Sequence, residues 1–295
     1  MRAPIGLLCD LLSRPEPDAI QNTRPTFGWI PQGGIQTACQ VLVATAAERL
    51  TEANADCWNS GKLARAESLH LTYAGKPLAP HNTYYWCVRT WADSETPSPW
   101  SEPQSFSLAA DAHADGTSRH HVQPLHYIAQ TISPNDAGYW FIDFGKHAFG
   151  WLELTLTAAS DGQAIEVRLG EKADHHAVDL HPGGTIRSAC VSLTLRAGRH
   201  TYRVETPRDE RNTSGDAVLL PPEFGIVMPF RYAELRGYAK DLAPADCVQV
   251  RLEYPFDETA SSFASSDPAL DAVWEFCKYS IRATTFCGVY VDGDR

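Results

Sequence analysis

Through much of the chain hydrophobic and polar residues alternate one for one. Leu69, Leu71 and Tyr73 are interleaved with Ser68, His70 and Thr72, and Leu152, Leu154 and Leu156 with Glu153, Thr155 and Thr157. Successive side chains of an extended backbone point to opposite faces, so each run predicts a strand with one buried and one wet face. The pattern recurs at Ile165, Val167 and Leu169, at Val191, Leu193 and Leu195, and at Val248, Val250 and Leu252. Turn residues such as Ser160-Asp161-Gly162 and Ala197-Gly198 separate neighbouring runs, and short connections of this kind favour antiparallel hairpins over parallel crossovers. A sheet with one apolar face must bury it against another. The expected class is therefore mainly β, with two consecutive antiparallel β-sandwich domains, the first fibronectin type III-like and the second jelly-roll-like.

The first sandwich is assigned to residues 1–109 and ends in a Trp-rich stretch, Tyr84 to Trp91 and Trp100-Ser101. The small, polar segment from Asp111 to Ser118 reads as a linker. The second sandwich is assigned to residues 119–256, with two long irregular insertions, Gly170 to Arg187 and Glu205 to Pro229. Loops of that length are usually functional or mobile. After Phe256 the period changes. Asp267 is placed to cap a helix with Pro268 at its first position, and Leu270, Val273, Trp274, Cys277 and Ile281 recur at helical spacing. An apolar stripe needs a partner, and the chain ends fourteen residues after Ile281. Residues 257–295 are accordingly expected to begin a truncated α-helical domain.

Composition narrows the partners. A chain of 295 residues, 43% hydrophobic and 21% charged, has the make-up of packed domains rather than disorder. Its net charge of −11 disfavours nucleic acid, whose non-specific binding is supplied by clustered Lys and Arg. No run approaches the ~18–20 apolar residues of a membrane span, and the N-terminus meets Asp10 after a very short apolar run, so neither membrane nor signal peptide is expected. Cys9, Cys39, Cys57, Cys87, Cys190, Cys247, Cys277 and Cys287 form no CxxC pair, and several sit in strand-like runs. They read as thiols in a reducing compartment, with the cytoplasm as the expected location.

Several strings taken in order resemble a known family. Arg24-Pro-Thr-Phe-Gly-Trp29, Trp58-Asn-Ser-Gly61, Tyr84-Tyr-Trp86 and Trp100-Ser101 are similar to the N-terminal fibronectin-type sandwich of bacterial alpha-L-rhamnosidases. Asp143-Phe-Gly145 with Gly150, Leu169-Gly-Glu171, Gly184-Thr-Ile-Arg187 and Pro229-Phe-Arg-Tyr232 look like successive landmarks of that family's next sandwich. Phe263-Ala-Ser-Ser-Asp-Pro268, a helix, and Val291-Asp-Gly-Asp-Arg295 resemble the lead-in to its catalytic barrel of paired helices.

The resemblance implies an inverting glycoside hydrolase that releases terminal alpha-L-rhamnose from rhamnose-containing glycosides or oligosaccharides. Such chemistry needs one protonated carboxyl for the leaving oxygen and one carboxylate for water, roughly 6.5–9.5 Å apart. In the family the general acid directly follows the segment resembling Asp292-Gly-Asp-Arg295, so this chain is expected to carry no catalytic residue. Asp292 corresponds to an aspartate that holds sugar hydroxyls and Arg295 to an arginine beside the acid. A solvated turn is the plainer reading of both, because Asp and Gly cluster in turns. The rival function is a stand-alone carbohydrate-binding or scaffold protein, since sandwiches host many functions.

Other signals are weaker. The segment Glu171 to His181 gathers carboxylates with His175, His176 and His181, but its spacings match no trusted zinc pattern, so no metal is expected, nor any cofactor. Trp91, Trp140 and Trp151 are candidate platforms for sugar rings, although aromatic side chains more often fill sandwich cores. No G-x-S-x-G elbow occurs, and Asn212-Thr-Ser214, which fits a glycosylation acceptor, reads as incidental.

Overall fold

A computed structural model describes the chain except for residues 135–136, 215–219 and 292–295 and the side chain of Asn212. The chain forms two compact units, Met1–His121 and Val122–Arg295.

The first unit is a sandwich of short strands: β1 (Arg2–Cys9), β2 (Ile20–Asn22), β3 (Thr26–Gln32), β4 (Ala38–Ala44), β5 (Trp58–Asn59), β6 (Leu63–Ala64), β7 (Leu71–Thr72), β8 (Thr83–Trp91) and β9 (Gln104–His113). One sheet has the order β1-β3-β7 and the other β2-β9-β8-β4-β5, with β6 also on β4. Between them lie Phe27, Trp29, Val41, Val43, Tyr73, Trp86, Val88 and Phe106. The aromatic strings of this unit build that core, with Phe27 4.4 Å from Trp86 and 6.3 Å from Trp58 between ring centroids. Trp29 is fixed by donating from Nε1 to Gln36 Oε1 at 2.8 Å, and Ser101 Oγ accepts the Val88 amide at 3.1 Å.

The segment expected to be a linker is partly structured. Asp111–His113 extend β9, and the Ser118 hydroxyl accepts from the Gln21 amide at 2.9 Å while donating to Asp10 at 2.6 Å. Small polar residues there are used to satisfy backbone and carboxylate groups of the first sandwich rather than to leave the chain free.

The second unit contains β10 (Gln123–Ile128), β11 (Thr131–Pro134), β12 (Trp140–Ala158), β13 (Gln163–Gly170), β14 (Ala173–Asp174), β15 (Ala177–Val178), β16 (Ser188–Leu195), β17 (Gly198–Val204), β18 (Met228–Arg236) and β19 (Cys247–Glu253). Helix α1 (Glu210–Thr213) is one turn, and α2 (Pro268–Ala283) is the long helix. The strand path runs β10-β19-β12-β18-β13-β16, with β11 and β17 also on β12. The two halves of β12 serve different neighbours. Trp140–Asp143 lie between β11 and β18, whereas Leu152–Leu154 lie between β19 and β17. Inward residues Ile142, Phe144, Leu152, Leu154, Leu156, Val167, Leu169, Phe230, Ala233 and Leu235 form the core.

The change of neighbours happens at an irregularity. Asp143 pairs with Tyr232 and Ala148 with Phe230, so β12 has extra residues between those pairs. Gly145, at φ 78°, supplies the left-handed conformation there, and Lys146 and His147 leave the ladder. Further on, Gly150 lets β12 press against β19, since a Cβ at this position would sit 1.9 Å from the Val250 carbonyl oxygen.

The expected C-terminal helix is present. Asp267 caps it by accepting from the Ala269 amide at 2.9 Å, with Pro268 in the first turn. Its hydroxyl-bearing Tyr279 donates to the His147 carbonyl, and Lys146 stands 4.2 Å over the Tyr279 ring. The residues after α2 also dock on this unit. Phe286, Cys287 and Val291 pack with Trp151, Val250 and Leu252, and Phe286 stacks on Phe149 at 3.8 Å. Leu270, Val273, Phe276 and Ile281 of α2 are exposed, Phe276 at 72%.

Candidate functional site

The outward face of β12, β13 and β18 collects residues that are far apart in sequence. Alternation puts Ile142 and Phe144 in the core and leaves Phe141 and Asp143 on the outer face, opposite Glu234 and Tyr232. Arg231 donates from both Nε and Nη2 to Asp143 at 2.8 Å. The Gly145 amide donates to the same carboxylate at 2.6 Å. Burial pushes Asp143 up, but these bonds and the charges of Arg231 and His147 outweigh it and hold the carboxyl below its usual range.

The insertion 170–187 is largely irregular, as expected, but residues 173–178 within it form a small hairpin laid against this face. Its strands β14 and β15 are joined by His175 and His176, at φ 44° and 56°. A two-residue turn with both φ positive normally takes Asn-Gly, because a Cβ is disfavoured there. His176 is compensated by stacking on Phe141, with centroids 5.5 Å apart and planes 9° apart. Beneath β15, Glu234 is 0% exposed and accepts from the Val178 amide at 3.1 Å and from Arg236 Nε at 2.6 Å. A buried carboxylate requires such donors.

The neck of this insertion is closed by Glu171 and Arg187. The Glu171 amide donates to the Arg187 carbonyl at 3.1 Å, and the Arg187 amide donates to Glu171 Oε1 at 2.7 Å. Glu171 Oε2 faces His147 Nδ1 at 4.0 Å. Burial raises the Glu171 carboxyl above its ordinary range, partly opposed by the Arg187 amide bond and by the charges of Arg187 and Arg211. Burial, with help from Arg231, lowers His147, while Asp143 opposes the change. These groups border a cleft of about 250 Å³ whose wall is completed by Ala148, Phe149, Thr185, Ile186, Pro229, Ala283 and Thr284. The cleft thus combines three ionisable side chains with apolar surface.

The structure therefore brings together Asp143, Gly145, Glu171, Arg187, Arg231 and Tyr232, which the sequence presents as four separate strings. His147 was not singled out by sequence reasoning. The break in alternation after Phe144, where Gly145-Lys146-His147 replaces an apolar position, is the signal that could have found it. Asp292 and Arg295 lie outside the described residues. Val291, just before them, is buried, and its amide donates to the Thr284 carbonyl at 2.9 Å.

The other sequence candidates have structural employment. Trp91 and Trp151 are buried and covered by cations, Arg89 at 5.0 Å and Arg203 at 3.9 Å respectively. Trp140 is half-buried against the core and donates to the Lys240 carbonyl at 3.2 Å. Among the described residues, no group of three or more His, Cys, Asp or Glu side chains is arranged to hold a metal ion, and His175 and His176 form the hairpin turn instead.

Two sandwiches in series, the second with a capped helix docked on it, define the class. Residues 5–110 match the family model described as "Rha78A-like, N-terminal immunoglobulin domain", and residues 134–252 match the "Bacterial alpha-L-rhamnosidase concanavalin-like domain". The chain belongs to the bacterial alpha-L-rhamnosidase family and comprises these two non-barrel β domains. An alpha-L-rhamnosidase of Formosa agariphila is 39% identical over 102 residues, covering 33% of this chain and 11% of that protein. One from Streptomyces avermitilis is 36% identical over 91 residues, covering 30% and 9%. Among solved structures, the alpha-L-rhamnosidase from Dictyoglumus thermophilum aligns with a TM-score of 0.68 at 12% identity, over 96% of this chain and 52% of that one. The enzyme from Aspergillus terreus gives 0.61 at 10% identity, over 99% and 53%. These two establish the shared fold. The chain spans about half the length of the solved structures, and its matches cover about a tenth of the curated relatives.

Proposed function

We propose that this chain is the non-catalytic front part of an inverting alpha-L-rhamnosidase, and that it orients a helical catalytic domain continuing from its C-terminus. The observation that carries this is the way α2 is held. Tyr279, Phe286, Cys287 and Val291 anchor the helix and the residues after it to the second sandwich, while Leu270, Val273, Phe276 and Ile281 stay exposed. An amphipathic helix fixed on one side and apolar on the other is suited to receive further helices. The two reacting carboxyls would come from that domain, with Asp292 contacting sugar hydroxyls and Arg295 standing beside the acid. The substrate class is a glycoside or oligosaccharide ending in alpha-L-rhamnose, and neither membrane nor nucleic acid takes part. The first sandwich, with β1-β3-β7 facing β9-β8-β4-β5, supports the narrower description fibronectin type III-like. Eight free thiols, five of them buried, support a reducing compartment such as the cytoplasm.

The test is to express the reading frame continued beyond Arg295 and follow hydrolysis of an aryl alpha-L-rhamnoside by proton NMR. Inversion requires that the beta anomer of rhamnose appear first. Initial release of the alpha anomer, or no release, contradicts the proposal.

A further inference from the structure

The cleft beside His147 has the make-up of a small-molecule site, and neither family model assigns it one. Its size, about 250 Å³, lies near the ~300 Å³ lower end of ligand pockets, which suits one ring rather than an extended chain. Phe149, Ile186 and Pro229 offer apolar surface, and Glu171, His147, Thr185 and Thr284 offer polar side chains. The polar groups are fixed from behind. Glu171 Oε1 is occupied by the Arg187 amide, and Arg187 is only 4% exposed. The other carboxylate oxygen and His147 Nδ1 are separated by 4.0 Å, too far for a direct hydrogen bond and a fitting gap for one bridging hydroxyl.

Charge decides the class of ligand. The charge of Glu171 is countered by Arg187 and Arg211, while burial and Arg231 disfavour a charged His147. A site balanced in this way attracts neither a free anion nor a free cation strongly, but serves a neutral molecule with hydroxyls on its edge and carbon-bound hydrogens on its faces. The cleft wall also leads to the end of the chain, since Thr284 is bonded to Val291, the residue before the Asp292 segment.

We propose that this cleft binds one ring of a neutral sugar, with a ring hydroxyl bridging Glu171 and His147 and the apolar ring face against Phe149 and Ile186. That the sugar belongs to a rhamnose-containing glycoside rests on the function proposed above; the binding itself does not.

The 295-residue chain is titrated with L-rhamnose and, separately, D-glucose, and backbone amide shifts are followed by NMR. Saturable shifts are expected at Thr185, Ile186, Arg187, Ala283 and Thr284 with at least one of the two sugars. Glu171→Gln should weaken binding about tenfold, as expected for loss of a charge-assisted hydrogen bond. Ala283→Trp, which fills the cleft from the helix side without touching its polar groups, should abolish binding while the thermal midpoint is retained. If Ala283→Trp does not fold, Glu171→Gln and His147→Ala carry the same test. No saturable shift with either sugar, shifts confined to other residues, or unchanged affinity in the folded variants would overturn the inference. The outcome is separable from the enzyme proposal because it reads binding in a chain without the barrel. Rhamnoside hydrolysis by the longer protein with no sugar in the cleft removes this inference alone, and sugar binding with no hydrolysis removes the other alone.

Discussion

Arg231 and Asp143, 88 residues apart, form a two-bonded guanidinium–carboxylate pair on the outer face of the second sandwich, with both bonds at 2.8 Å. The pair ties β18 to β12 just before the latter leaves the ladder at Gly145, so it sets the position of His147 and the cleft.

Asp143→Asn is expected to destabilise the second unit by about 1–2 kcal/mol at pH 7, between the values for exposed and buried pairs because both groups keep some solvent contact. Since the folded-state carboxyl is held below its unfolded value of about 3.9, the pair contributes fully above that value and is lost as pH falls through the folded one. Urea unfolding of wild type and variant should therefore converge as the pH falls below the folded-state value of Asp143. A constant difference across that range would show that the charge is not responsible.

His147 has the same sign for a different reason. Its imidazole is kept neutral in the fold, mainly by burial and then by Arg231, so protonation is easier in the unfolded chain, whose histidine titrates near about 6.5. Stability should fall as pH drops from about 7 through the folded-state value, and His147→Gln should flatten that part of the urea-midpoint profile. An unchanged profile would contradict the linkage.

Gly150→Ala places a methyl carbon against the Val250 carbonyl of the paired strand, a backbone atom that cannot swing aside. A loss of about 2–4 kcal/mol is expected for the second unit, as for other overpacked or strained core positions. Circular dichroism during urea unfolding should resolve it, with the first unit's transition unaffected.

Thiol labelling separates the cysteines by burial. Cys277 and Cys190 are exposed and should react first in the native chain, Cys190 the slower because slight burial and Glu166 raise its thiol. Cys39 and Cys87 are pushed up by burial to about 11 and about 12, and should label only on unfolding. Mass spectrometry of quenched samples reads the order directly.

What the sequence made legible was whatever depends on local period. Alternation located β13, β16 and β19 and the second half of β12, and the Asp267-Pro268 signal located the start of α2. The first half of β12 was harder, because Gly145, Lys146 and His147 interrupt the alternation while the strand continues around them. The hairpin at 173–178 within the irregular insertion was also hidden, since its strands have two residues each and its turn uses His175 and His176 instead of Asn-Gly. The site itself could be read only as ordered strings. That Asp143 meets Arg231, or that His147 faces Glu171, follows from the strand register and the extra residues in β12, which no local pattern encodes.

Phe276→Ser should leave stability within about 0.5 kcal/mol of wild type in the 295-residue chain, as for surface positions without partners, because its side chain is exposed on the apolar side of α2. The same change in the longer protein should be destabilising, since there the ring is expected to be covered by further helices. Equal, small effects in both would show that nothing packs on this face.

Steady-state hydrolysis of an aryl alpha-L-rhamnoside, measured side by side for the 295-residue chain and the reading frame extended past Arg295, bears most directly on the division of labour argued here. Turnover is expected from the extended protein and none from the shorter chain. Saturable turnover by the shorter chain, or its absence from both, would contradict it.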